Sequence, residues 1–190
     1  KKVEQRIPLF PGSKAVSICQ HREREKMFLS ENAFACVNFK LAENLESFKS
    51  GLKKLNSEVI VKTAEFGYDG KGQLKLKENL SESEIEEAWK TFEGGRVVIE
   101  ECVSLEAELS VLVARGHHND TETYDPIENI HRNHILDVSV IPARIPQDIQ
   151  NKAKQTAVEI AEAMDYIGMM AVEFFLSVDG RLLINELAPR

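Results

Sequence analysis

Two apolar segments near the C-terminal end, residues 169–176 and 181–187, constrain the fold most. They are separated by Ser177-Val178-Asp179-Gly180. Asp-Gly between apolar runs is the strongest short signal of a tight β-hairpin, because both residues tolerate the backbone that the turn needs. Each run carries one acid, Glu173 in the first and Glu186 in the second. If Asp179 and Gly180 form a two-residue tip, Val178 pairs with Arg181. Counting outward, Glu173 then pairs with Glu186, with Cβ atoms ~5 Å apart on one sheet face. A three-residue turn shifts the register by one and separates them. In the paired register the like charges repel and resist desolvation. A shared proton with a raised pKa relieves this, and so does a divalent cation between the carboxylates. Asn185 adds a neutral oxygen, and Mg²⁺ prefers oxygen ligands, keeps waters and binds phosphates. Arg190 lies just beyond, suited with Lys62 and Lys71 to neutralise a transferring phosphoryl group.

A second stretch has matching chemistry. Residues 59–62 read as a buried strand that ends in Lys62. Gly67, Tyr68, Asp69, Gly70, Lys71, Gly72 and Gln73 follow. Glycines let backbone N–H groups turn towards a ligand, and successive N–H groups with lysines make a concavity suited to phosphate. The GxxxxGK[ST] spacing of a Walker A loop is missing. An ordinary hairpin tip has the same composition. Residues 73–77 alternate polar and apolar, so the loop is expected to join two antiparallel strands as a flap.

The chain has 190 residues, enough for one large or two small domains. A net charge of −7 argues against binding nucleic acid as a polymer. No apolar run approaches the ~20 residues that span a bilayer. Cys19, Cys36 and Cys102 are widely spaced and form no CxxC pair, which suits a reducing cytosol. The chain opens on Lys1-Lys2 without methionine and stops after Arg190, as a piece of a larger polypeptide would.

In order, the pattern predicts a charged helix over 17–29, a strand over 33–39 and a helix over 43–54. Most charges of the first helix read as a solvated face, with Arg22 either among them or turned inward to a phosphate. A helix over 83–92 is expected to be capped by Ser83 with Glu86 as its capping-box partner, and to end at Gly94-Gly95. The strand over 96–103 carries Glu100 and Glu101, whose side chains face opposite ways. One of the two can serve a ribose or an adenine amino group. A strand over 108–114 begins at Glu108, and 115–123 reads as a polar hairpin loop. Residues 125–137 are ambiguous, with His131 equally suited to a structural or a site role. Residues 146–165 are a helix with a small-residue stripe, Ala153, Ala157, Ile160, Ala161 and Met164.

These stretches, in this order, resemble the ATP-grasp domain of the N5-carboxyaminoimidazole ribonucleotide synthetase family. Phe-Gly-Tyr-Asp-Gly-Lys-Gly-Gln at 66–73 and Asn-Glu-Leu-Ala-Pro-Arg at 185–190 carry the likeness most specifically. The resemblance implies an α+β ATP-grasp fold, with two α+β subdomains, 1–103 and 104–190, enclosing a nucleotide site. It implies ATP and Mg²⁺ as cofactors, and bicarbonate and 5-aminoimidazole ribonucleotide as substrates. ATP would be split to ADP and phosphate through carboxyphosphate, in a cytoplasmic enzyme that is a homodimer as a whole. Carried over by position, Arg22 and Lys62 would meet ATP phosphates under the flap Gly67–Gln73. Glu100, Glu101, Cys102 and Val103 would hold adenine, Glu108 would hold ribose, and His131 would lie at the nucleotide. Glu173 and Glu186 would hold the metal with Asn185 beside the phosphates, and Arg190 and Lys71 would serve catalysis. His21 and His134 stand where the family usually has aspartate and glycine. The family's N-terminal and C-terminal domains are not represented. Two rival readings are a nucleotide-binding module without turnover and an ATP-grasp ligase with another acceptor.

Overall fold

A computed structural model describes residues 7–65, 72–118, 120–132 and 135–190. Its first sheet has four antiparallel strands in the order β1 (Phe39–Ala42), β4 (Val97–Glu101), β2 (Val59–Thr63), β3 (Gln73–Leu76). Helices α3 (Leu45–Leu55) and α4 (Glu82–Lys90) cover it, burying Phe48, Val59, Val61, Ala88, Phe92 and Ile99 between the layers. Gly51 sits mid-helix in α3 because a Cβ there would lie 2.6 Å from Ile99 Cδ1 and 3.2 Å from Lys40 Cβ. β2 and β3 pair antiparallel with Lys62 opposite Gln73, so the strands of the expected flap form a hairpin.

The second sheet runs β10 (Leu182–Pro189), β9 (Gly168–Ser177), β5 (Leu105–Arg115), β7 (Ile127–Arg132), β8 (Ile135–Val140), with β6 (Thr121–Thr123) on β5. Helix α5 (Gln147–Ala163) lays Ala153, Ala157, Ile160 and Ala161 on one face of this sheet, all fully buried. Small residues let that helix sit close, as its stripe predicts. The other face carries Glu108 and Ser110 of β5 and Glu173 of β9, all half-exposed.

Several elements differ from the sequence reading. The helix expected over 17–29 is two helices, α1 (Ser13–Cys19) and α2 (Arg22–Glu31). His21 between them is extended, and the Arg22 N–H bonds Ala64 O at 3.0 Å. Both helices pack on the core of the second sheet through Ala15, Ile18, Cys19, Phe28 and Leu29. The chain turns between the sheets at 102–104, yet residues well before 104 contribute to the second core. The strand expected over 33–39 is a crossing segment with a single bridge from Cys36 to Ile184, and the regular strand starts at Phe39. Ser81 rather than Ser83 caps α4, with Glu84 returning to the Ser81 N–H at 2.8 Å. Two overlapping Ser-x-x-Glu frames exist, and the earlier one adds residues to the helix. The loop expected over 115–123 contains β6, and 125–137 holds all of β7 and the start of β8.

Candidate functional site

The hairpin reaches the expected pairing by an unexpected route. Leu182 pairs with Leu176 and Ile184 with Phe174, the register of a three-residue turn. Ser177 N–H bonds Arg181 O at 2.9 Å, closing that turn around 178–180. The two-residue tip is therefore corrected. A bulge between Ile184 and Glu186 then takes up one residue, Asn185, and Glu186 falls opposite Glu173 after all. Bulges re-aim side chains in this way beside functional sites. Asn185 Oδ1 is buried with no hydrogen-bond partner among the described residues.

Around this pair the sheet face is polar. Burial first, and the negative charge of Glu186 second, push the Glu173 carboxyl above its ordinary range, with Arg190 and His131 acting the other way. Glu108 pairs with His131 Nδ1 at 3.3 Å. Asn129 donates to Ser110 Oγ at 3.1 Å and accepts from Ser139 Oγ at 3.1 Å. Among the described residues no group of three His, Cys, Asp or Glu side chains is placed to hold a metal ion. Two carboxylates, one burdened by the other, with a bare amide oxygen beside them, do suit a hard cation that takes its remaining oxygens from a phosphate ligand.

A cleft of about 530 Å³ opens where the two sheets meet. Val37, Ile60 and Phe175 give it apolar walls, and the segment 100–105 lines it together with Lys62, Lys75 and Glu58. Cys102 and Val103 lie in the turn between the sheets and line the cleft, with the Cys102 N–H donating to Glu58 O at 2.9 Å. Lys75 and Glu58 form an ion pair at 3.0 Å at its rim. Glu101 accepts from Asn38 Nδ2 at 2.5 Å. Glu100 differs from its expected role as a free acceptor. It is 3% exposed, and its oxygens meet Lys62 Nζ at 2.6 Å and Lys26 Nζ at 3.2 Å.

Arg22 opens α2, and its guanidinium donates to Thr63 O at 3.3 Å, beside the end of the strand that carries Lys62. Gly72 has φ +74°, and a Cβ there would lie 2.7 Å from Thr63 Oγ1. Its carbonyl accepts from the Thr63 N–H at 2.8 Å, closing the base of the loop, with Gln73 next on β3. Gly67, Tyr68, Asp69, Gly70 and Lys71 lie outside the described residues.

Sequence reasoning missed Glu25 and Lys26, read as part of a solvated face. They are 2% and 1% exposed. Glu25 Oε2 accepts from the Leu187 N–H at 2.9 Å, and Lys26 Nζ donates to Asn185 O at 3.0 Å. The signal was their spacing, since 25, 26 and 29 form one helical stripe with Leu29.

Two antiparallel sheets with a cleft of nucleotide size between them, lysines on one wall and paired acids near the other, define the class. Residues 27–190 match the ATP-grasp domain, and the chain belongs to the ATP-grasp family. Within it, the chain is similar to N5-carboxyaminoimidazole ribonucleotide synthase of Bacillus subtilis, at 39% identity over 179 residues, 94% of this chain and 46% of that protein. Among solved structures it superposes on N5-carboxyaminoimidazole ribonucleotide synthetase of Thermus thermophilus with a TM-score of 0.88 at 34% identity, covering 100% of this chain and 50% of that one. The Staphylococcus aureus N5-carboxyaminoimidazole synthetase, solved in complex with ADP, gives 0.89 at 30% identity, over 100% and 50%. The chain spans about half the length of these relatives.

Proposed function

We propose that this chain supplies the ATP-binding and phosphoryl-transfer part of a carbon–nitrogen ligase. The reaction joins bicarbonate to the amine of 5-aminoimidazole ribonucleotide and releases ADP and phosphate. The pairing of Glu173 with Glu186, restored by the bulge at Asn185, carries this reading. Glu173 and Glu186 would hold Mg²⁺, with Asn185 beside the phosphates. The ion's chemistry is to offset phosphate charge as it shifts between oxygens.

The chain's own groups do the rest. Val37, Ile60 and Phe175 receive the flat faces of a purine, and the backbone at Cys102 and Val103 meets its polar edge. Glu108, held by His131, accepts from ribose hydroxyls. Lys62, Arg22 and the loop from Gly67 to Gln73, with Lys71, surround the phosphates. Arg190 follows Glu186, just past the end of β10, and stabilises negative charge on the group being transferred.

The test is ADP release by Glu186→Gln in the presence of Mg-ATP, bicarbonate and 5-aminoimidazole ribonucleotide. A fall of about 100-fold or more with an unchanged fold is the expected result. Turnover at the unaltered rate sinks the metal role. Activity with a different amine and none with this one favours another ATP-grasp ligase.

A further inference from the structure

Lys26 has no part in the roles above, yet its surroundings give it one, provided that the cleft is an ATP site as proposed. Its ammonium lies 3.2 Å from Glu100 Oε1 with its side chain 1% exposed, and it donates to Asn185 O at 3.0 Å. The other Glu100 oxygen meets Lys62 Nζ at 2.6 Å. The Glu100 side chain is 4% exposed and that of Lys62 is 15%. Two cations therefore share one carboxylate, and the cluster carries one positive charge in excess. Neutralising the charge of Glu100 would require only one lysine. Burial pushes the Glu100 carboxyl up, but Lys26 and Lys62 together hold it below its ordinary range, so it is ionised. Of the two lysines, Lys62 lines the cleft and Lys26 does not.

We infer that Lys26 is a positioning residue for phosphate binding: it neutralises Glu100, so that the charge of Lys62 is left for an anionic ligand in the cleft. The same ammonium anchors the backbone of the bulge that turns Glu186 opposite Glu173. Without Lys26, Glu100 and Lys62 close into a neutral, largely desolvated pair. A phosphate then has to compete with that carboxylate for Lys62, and truncating one partner of a buried cluster leaves the other charge uncompensated.

The experiment compares dissociation constants for ATP and for adenosine, which lacks phosphates, in the full chain. The variants are Lys26→Met, Lys26→Arg and the double variant Lys26→Met with Glu100→Gln. Lys26→Met is expected to weaken ATP by about 10-fold or more while adenosine shifts by no more than about 2-fold. Lys26→Arg keeps the charge and most of the ATP affinity. The double variant removes the carboxylate that captures Lys62 and recovers ATP affinity to within about 5-fold of the parent chain. It therefore decides the matter even where the single variant does not fold. Parallel loss of ATP and adenosine in Lys26→Met, no loss of either, or an ATP-selective loss that persists in the double variant overturns the inference. A parent chain with no preference for ATP over adenosine overturns the reading of the cleft itself.

Discussion

The buried ion cluster on the first sheet and the carboxylate pair on the second treat charge in opposite ways. At Glu100 an acid is sealed from water and two lysines more than cancel it. At Glu173 and Glu186 two acids face each other, Glu173 half-buried and Glu186 exposed, and burial and like charge raise the first. An acid cancelled within the chain holds structure together. Under the proposed function, acids left in excess serve a ligand that brings the missing positive charge. Lys26 joins the regions, since it touches the first cluster through Glu100 and the second through the carbonyl of Asn185.

The largest test of this contrast is Glu100→Ala, which leaves buried Lys26 and partly buried Lys62 without their acid. A loss of about 3–5 kcal/mol is expected in urea unfolding. A loss below about 1 kcal/mol would place Glu100 among ordinary surface pairs and erase the contrast.

Next is a pH test beside the same cluster. Burial pushes the Glu25 carboxyl up to about 8, against opposition from Lys26 and the Leu187 N–H, with Glu186 and Glu100 reinforcing the rise and Cys19 nearby. Because this folded-state value lies above the ordinary 4.5, its stabilisation is complete below 4.5 and is lost as pH rises to about 8. Glu25→Gln should flatten that slope, which amounts to a few kcal/mol across the window. An unchanged slope of unfolding free energy against pH would assign it to other groups.

The carboxylate pair should behave in the reverse sense from Glu100. Without metal, Glu186→Gln removes a like charge opposite Glu173 and is expected to leave stability unchanged or raised by about 0.2–1 kcal/mol. The Glu173 titration should also move down towards its ordinary range, read by carboxyl-carbon NMR. A large destabilisation would make the pair structural.

An effect of similar size calibrates these measurements away from either cluster. Ser81→Ala should cost about 1 kcal/mol and Ser83→Ala far less, because the α4 cap is Ser81.

The residues show how far the sequence could be read. The pairing of Glu173 with Glu186 was legible, but its route was not. An Asp-Gly tip points to two-residue and three-residue turns alike, and a bulge leaves no mark in an apolar run. The small stripe of α5 and the strands flanking the glycine loop follow from periodicity, which local packing did not override. Helix α2 misled because Glu25 and Lys26 look solvated by residue type, and only contacts far along the chain, at Glu100, Asn185 and Leu187, reveal them as buried. Residues 125–137 were opaque because neither β7 nor the start of β8 alternates buried with exposed positions.

The most direct measurement is the affinity of a non-hydrolysable ATP analogue, by calorimetry, with and without Mg²⁺, in the parent chain and in Glu173→Gln with Glu186→Gln. The account expects Mg²⁺ to tighten binding to the parent chain by about 10-fold or more and to leave the double variant unmoved. Equal affinity in the parent chain with and without the ion, or a full Mg²⁺ effect that survives in the double variant, would contradict it.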